Sequence, residues 1–355
     1  MNLLQRFSEM HVLPPRTQLQ LFDLQQSDSI QRLISQTTSA VDLIICPLEY
    51  AHCFRQQKNS CSPLSPALVQ EARIPAVLLD LCRQDDALLG IPLGFWPILL
   101  YLNEARFRNA QIPLPAPGWT WDQFENITPQ LTFGGDYGFQ FRPTYEHLAA
   151  IMAHRGTCLY REDGHINALD SAGFEPALRL LSELLHTRKV SPILAKVEQI
   201  NLFAQHRCAM ALDGLDQYQL YRHSLGQDLH VGLLPDPPAD TLAAGGLMAV
   251  VMPEMENVQS IQDLLTSLLS INTQRMVTKI STILPVREDL LQADVLAAWN
   301  LPESLLPLLL EMKNRPRFLP QPGQTAHKYT VENLFLELWL GLDQLDHICQ
   351  RFRSI

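Results

Sequence analysis

Absent from this sequence are a Cys-x-x-Cys pair, a basic cluster and an apolar run long enough to span a bilayer. Only six lysines occur, the net charge is −10, and the pI lies near 5.5. A nucleic-acid partner needs a basic face and an anionic membrane needs a polybasic segment, so neither is expected. The longest apolar run, "LAAGGLMAVVM" at 242–252, falls well short of the roughly 20 residues a membrane helix needs. "MNLLQRFSEMH" carries Arg6 and Glu9 where a secretory leader requires an unbroken apolar stretch.

Signatures of catalysis are missing as well. There is no Gly-x-Ser-x-Gly, no phosphate-cradling Walker loop, no His-Glu-x-x-His and no Gly-x-Gly-x-x-Gly. His147 and His154 share a helix face but have no carboxylate at ligand spacing, and they read as surface or cleft histidines. The seven cysteines, Cys46, Cys53, Cys61, Cys82, Cys158, Cys208 and Cys349, are scattered and odd in number, as expected of reduced, buried thiols. Grouping Cys46, His52, Cys53 and Cys61 matches no common zinc spacing. Neither cofactor nor metal is expected.

What is present is apolar bulk. Apolar residues make up 46% of the 355 and charged residues 18%, a composition that folds around a large interior. The length implies two domains. Element signals alternate: "NLLQRFSEM" has helical spacing, "TQLQLFDL" alternates as a strand, and "SIQRLISQ" is helical again. "AVDLIICPL" is a continuous β-rich run of the kind buried on both faces of a parallel sheet. This rhythm predicts an α/β layered fold.

Further along, "GIPLGFWPILLYLNEARF" at 90–107 begins as a strand-turn and ends as a helix. "YGFQF" predicts a strand and "RPTYEHLAAIMA" a helix. "DSAGFEPALRLLSELLHTRK" predicts a helix capped by Asp170 or Ser171. "CAMALDG", "LHVGLLP" and "GGLMAVVMP" read as strands. "VQSIQDLLTSLLSINTQRMVTKI" reads as one long helix, "STILPVREDLL" as strand-turn-helix, and "TVENLFLELWLGLDQLDHICQRF" as a last helix. The linker signals are "LPDPPAD" at 234–240 and "RPRFLPQPGQ" at 315–324.

Several of these segments, in this order, resemble the solute-binding protein family that includes the maltodextrin receptors of ABC importers. "GIPLGFWPILLYLNEARFRNAQIPLPAPGWTWDQF" is similar to the family's Gly-x-Pro crossing strand, Tyr-Asn helix start and Thr-Trp-Asp helix start. "INALDSAGFEPALRLLSELLHTRKVSP" resembles its second-lobe helix, and "NLFAQHRCAMALDG" its Phe…Ala-Met…Gly element. "VGLLPDPP", "AGGLMAVVMPEMENVQSIQDLLTSLLS" and "TILPVRED" resemble the return into the first lobe. The resemblance implies a two-lobed periplasmic-binding-protein-like α/β fold with hinge strands and an interlobe cleft. Lobe one is expected over 1–95 and 239–300, and lobe two over 96–238 and 301–355.

It also nominates ligand-binding residues. In lobe one these are Glu49 and Tyr50, in the loop after "AVDLIICPL", with Phe95 and Trp96 at the crossing. A carboxylate accepts paired hydrogen bonds from vicinal hydroxyls, and flat rings stack on sugar faces. One of Phe95 and Trp96 is expected to pack in the core instead. In lobe two, Arg142 and Thr144 stand at the "FRPTY" turn, where the guanidinium suits a carboxylate or phosphate. Asp216 stands where the family commonly has a stacking aromatic, a departure that argues against a long oligosaccharide. Gly246, beside Gly245, allows close backbone approach or begins a strand, and Tyr329 precedes the last helix as a second-lobe wall. Trp119 and Trp121 are assigned to packing at a helix start, and Trp299 and Trp339 to the core.

Three functions are consistent with this reading. The first is non-catalytic capture of a sugar-like solute by a monomeric receptor that delivers it to ABC permease subunits. The second is an effector-sensing domain once fused to a DNA-binding domain. The third is an enzyme on a related two-lobed fold. The compartment stays open, periplasmic or extracellular for a processed receptor and cytoplasmic for a chain that is complete as written.

Overall fold

The computed structural model describes residues 41–354 except 52–53, 55–60, 65, 85–86, 158–172, 194–200, 236–241, 254–257, 282, 293–300, 302–304, 313–315 and 319–324. The elements expected within 1–40, the Asp170 or Ser171 cap, Trp299, His52, Cys53 and Cys158 lie outside the described residues. The strands in chain order are β1 (Leu43–Pro47), β2 (Arg83–Gln84), β3 (Ala87–Leu88), β4 (Ile91–Asn103), β5 (Tyr137–Gln140), β6 (Cys208–Gly214), β7 (Leu229–Gly232) and β8 (Leu242–Val251). Two compact units emerge. Unit one holds the chain to Trp96 with Gly245–Pro316 and Gln324–Ala326, and unit two holds Pro97–Ala244, Arg317–Gly323 and His327–Ile355.

In unit one β1 lies antiparallel to β8, with Leu43 opposite Val251 and Pro47 opposite Leu247. Only alternate residues of β1, Ile44 and Cys46, are buried. The continuous apolar run therefore serves a half-buried antiparallel strand, not the doubly covered parallel strand expected from it. The first part of β4 continues this sheet beside β8, and Phe95 exchanges backbone hydrogen bonds with Leu284 at 3.1 and 2.8 Å. Gln274, buried, locks the layer above. Its Nε2 donates to the carbonyls of Leu93 and Leu268, both at 3.1 Å, and its Oε1 accepts from Val286 N–H at 3.0 Å.

The single long helix expected at 258–280 is two, Val258–Leu269 and Ile271–Ser281. Ser270 breaks it, because its hydroxyl accepts the Thr273 N–H at 3.2 Å and so caps a second start. "STILPVREDLL" contracts to the Phe95–Leu284 bridge and a short 3₁₀ turn, Glu288–Leu290.

Unit two is built around the second part of β4, which pairs antiparallel with β6 on one side and β7 on the other. β5 joins β6 in parallel, with Tyr137 opposite Cys208 and Gln140 opposite Ala211. The stretch expected to begin as a strand-turn is one continuous strand, Ile91–Asn103, followed directly by the expected helix, Glu104–Asn109. β6 is buried at every position, as its apolar run suggests.

Thr120 starts the helix Trp121–Gln130 with reciprocal bonds to Gln123, and Trp119 and Trp121 pack there as expected. Phe124, Phe139, Phe141 and Trp339 form a ring chain with centroids 4.6–5.2 Å apart. The expected last helix divides into Thr325–Leu340 and Leu345–Arg353 at Gly341, whose φ of 66° is cheap only for glycine. Within the linker "RPRFLPQPGQ", Pro316–Phe318 is a short strand.

Cys46, Cys61, Cys82, Cys208 and Cys349 are buried thiols, and burial pushes Cys208 up to about 12. No helix among the described residues is long and apolar enough to cross a membrane.

Candidate functional site

The richest polar constellation of unit two lies at the carboxyl ends of the parallel pair β5 and β6, the edge where α/β sheets bind ligands. Arg142 follows β5 by two residues, and Asp213 is the penultimate residue of β6. Asp213 closes an otherwise apolar strand and is 5% exposed, so its charge must be matched inside the protein.

Four hydrogen bonds do this. Arg142 Nη2 donates to both carboxylate oxygens, the Gly214 N–H donates to Oδ1 at 3.1 Å, and Tyr221 Oη donates to Oδ2 at 2.8 Å. The remaining Arg142 donors, Nε and Nη1, have no acceptor among the described residues, and 29% of the side chain is exposed.

An aromatic base holds this network. Tyr221 accepts from Asn201 Nδ2 at 3.0 Å, and Asn201 Oδ1 in turn accepts the Ala204 N–H at 3.0 Å. Tyr101, fully buried, donates to the Gly214 carbonyl at 2.8 Å. Its ring meets Tyr221 edge-on at 4.7 Å, and Phe203 meets Tyr221 at 4.8 Å. Burial first, and the Asp213 charge second, raise the Tyr221 phenol, so it remains a donor.

His147 is buried beneath Arg142, not on the surface or in a cleft as expected. Its Nδ1 accepts the Arg142 N–H at 2.8 Å, which assigns the proton to Nε2, and Nε2 lies 3.9 Å from Asp213 Oδ1. Burial lowers it to about 4 against the pull of Asp213, and the Arg142 charge pushes the same way as burial. His154 is likewise buried and lowered to about 4 by desolvation.

Two further expected residues share this rim. Thr144 is half-buried at the start of the helix Tyr145–His154, and its hydroxyl makes no capping bond. Asp216 is exposed in the turn Leu215–Gln217 and accepts from Gln217 Nε2 at 2.7 Å. Tyr329 falls in the helix Thr325–Leu340, and its side chain lies outside the described residues. Asp213, Tyr221 and Asn201 were not singled out from the sequence. The signal that could have found Asp213 is a lone carboxylate at the end of the apolar run "CAMALDG".

In unit one, Trp96 is half-buried, with its Nε1 edge against the Gly245 backbone: a Cβ there would stand 2.7 Å from Nε1. Phe95 is the core member of the pair, with no exposed surface, so the ligand role assigned to it does not fit. Tyr50, expected as a ligand residue in a cleft-facing loop, is also buried, closing the 3₁₀ turn Leu48–Tyr50. Glu49 belongs to the same turn, and its side chain lies outside the described residues. At Gly246 the space a Cβ would take is filled by Leu48 Cδ1 at 2.3 Å and the Gly94 carbonyl at 3.0 Å. That glycine admits core packing, not a ligand.

The family described as bacterial extracellular solute-binding protein matches residues 22–303 of the chain. An uncharacterised lipoprotein of Streptomyces antibioticus is 25% identical over 182 residues, 48% of this chain and 40% of that protein, so the match spans less than half of the relative.

Among solved structures, an ABC substrate-binding protein of Listeria monocytogenes in complex with cycloalternan is similar at TM-score 0.82 and 14% identity, over 99% of this chain and 92% of the other. A solute-binding protein of Thermotoga lettingae bound with α-D-tagatose gives 0.78 at 20% identity, over 99% and 93%. Maltose-bound MalE3 of T. maritima gives 0.78 at 14%, over 99% and 95%. These likenesses establish the fold class as that of the two-lobed periplasmic-binding proteins.

Proposed function

Because the chain belongs to the bacterial extracellular solute-binding protein family, we propose that it captures a small polar solute, a sugar or sugar derivative, as the receptor of an ABC importer. Capture is reversible and leaves the solute chemically unchanged. The partners are then the solute and the importer's permease subunits. The family match favours this over the regulator and enzyme readings.

The observation that carries the proposal is the rim of unit two. There the Nε and Nη1 of Arg142 have no acceptor among the described residues, Asp216 lies near the guanidinium, and Thr144 follows two residues along the chain. Donors and acceptors set side by side are what vicinal hydroxyls need, since each hydroxyl both gives and accepts. Glu49 and Trp96 are the proposed contributions of unit one and Tyr329 a further one of unit two. Structural relatives bound to cycloalternan, tagatose and maltose support a sugar.

The test is a thermal-shift screen with D-tagatose, maltose, maltotriose and cycloalternan, followed by calorimetry of any hit. A ligand that binds only the folded state raises its melting temperature. Saturable binding with the sugar recovered intact is expected. Failure of all four sugars to shift the transition overturns the proposal.

A further inference from the structure

Arg142 would ordinarily mark an anion site, because a free guanidinium recognises carboxylates and phosphates two bonds at a time. Here it is not free. Its Nη2 is committed to both oxygens of Asp213, whose carboxylate is otherwise closed off by Gly214 N–H and Tyr221 Oη. What remains are the Nε and Nη1 N–H donors, which have no acceptor among the described residues, on a group whose charge is already cancelled at contact distance.

The charged and titratable groups around the pair point the same way. Asp216, exposed in the turn after Gly214, adds a negative charge near the pair. His147, packed beneath, is neutral above about pH 4 and supplies no compensating charge. The one cation therefore meets Asp213 at contact distance and Asp216 nearby, and the whole chain carries a net charge of −10.

We infer that the Arg142–Asp213 pair is a charge filter: it offers hydrogen bonds to neutral polyhydroxy solutes and turns away carboxylates and phosphate esters. The inference rests on the sugar-receptor reading above and narrows it. Asp213 is a positioning residue in this scheme, holding Arg142 in place and cancelling its charge without touching the solute.

Calorimetry on the full chain with matched probes tests it: maltose and D-tagatose as neutral ligands, D-glucuronate and D-tagatose 6-phosphate as anionic ones. The expected result is binding of a neutral probe at least about tenfold tighter than its anionic counterpart. Asp213→Asn keeps a polar side chain but uncovers the Arg142 charge. It is expected to shift the anion-to-neutral affinity ratio upward by about tenfold or more, with the gain fading as salt is raised.

Asp216→Asn, at an exposed position, gives a smaller shift of the same sign and carries the test if Asp213→Asn does not fold. Anionic probes binding as tightly as neutral ones, or an unmoved ratio in the folded variants, overturn the filter and leave the receptor reading intact. Binding of none of the four probes overturns the receptor reading and the filter with it.

Discussion

Tyr221 Oη donates to Asp213 Oδ2 across 2.8 Å, and this bond ties a buried carboxylate to an aromatic cluster seven residues beyond the end of its strand. It is one of four bonds that satisfy the Asp213 carboxylate inside unit two. Tyr221→Phe removes the donor and also strands the Asn201 amide. Loss of about 1–3 kcal/mol in stability is expected, read from urea unfolding. An unchanged midpoint would show the bond to be dispensable.

Arg142→Ala is expected to cost more. Asp213 would keep its burial but lose its charge partner, which destabilises by about 3–5 kcal/mol in a dry site and by about 2–3 here, where Arg142 is partly wet. The double variant Arg142→Ala with Asp213→Ala should recover part of that loss, since no charge is then left unpaired. Thermal unfolding of the three variants side by side checks the sign of the coupling.

His147 and His154 make stability depend on pH. Their folded values lie at about 4 against an ordinary 6.5, so the unfolded chain takes up protons first as pH falls. Their contribution is full above 6.5, declines as pH drops, and is gone once pH passes below about 4. The loss amounts to as much as about 3 kcal/mol for each. Urea midpoints at pH 7, 5.5 and 4.5 should fall in that order, and less steeply in His154→Gln. A wild-type midpoint constant across this window contradicts the assignment.

Gly246→Ala places a methyl 2.3 Å from Leu48 Cδ1 and 3.0 Å from the Gly94 carbonyl. The Leu48 side chain can shift, but the carbonyl is backbone, so a loss of about 1–3 kcal/mol is expected. A paired Leu48→Ala should relieve part of it. Equal stability of Gly246→Ala and wild type would mean that β8 moves freely, which its register with β1 argues against.

Trp96→Ala should separate binding from folding. The indole is half-buried against Gly245, so the variant should melt within a few degrees of wild type while sugar affinity falls by about tenfold. Glu49→Ala is expected to behave alike. Normal calorimetric binding by both would remove unit one's proposed contribution.

The sequence was sufficient for whatever depends on local rules or chain-long order. Local signals announced the helix Tyr145–His154 and the strand Cys208–Gly214, and Thr-Trp-Asp announced a helix start at Trp121. The succession of quoted segments carried the family resemblance. Local rules ran out at Ser270 and Gly341, where one capping hydroxyl and one left-handed residue divided helices that periodicity alone would join.

Only the tertiary structure decided which side chains meet. Arg142 and Asp213 are 71 positions apart, and nothing local tells a surface cation from one pinned by a buried carboxylate. Phe95 and Trp96 are neighbours of similar chemistry, yet the alternation of a strand sends one ring into the core and leaves the other half-exposed. Periodicity fixes which face a residue takes along its own element. Partnership is set by which elements the fold brings edge to edge.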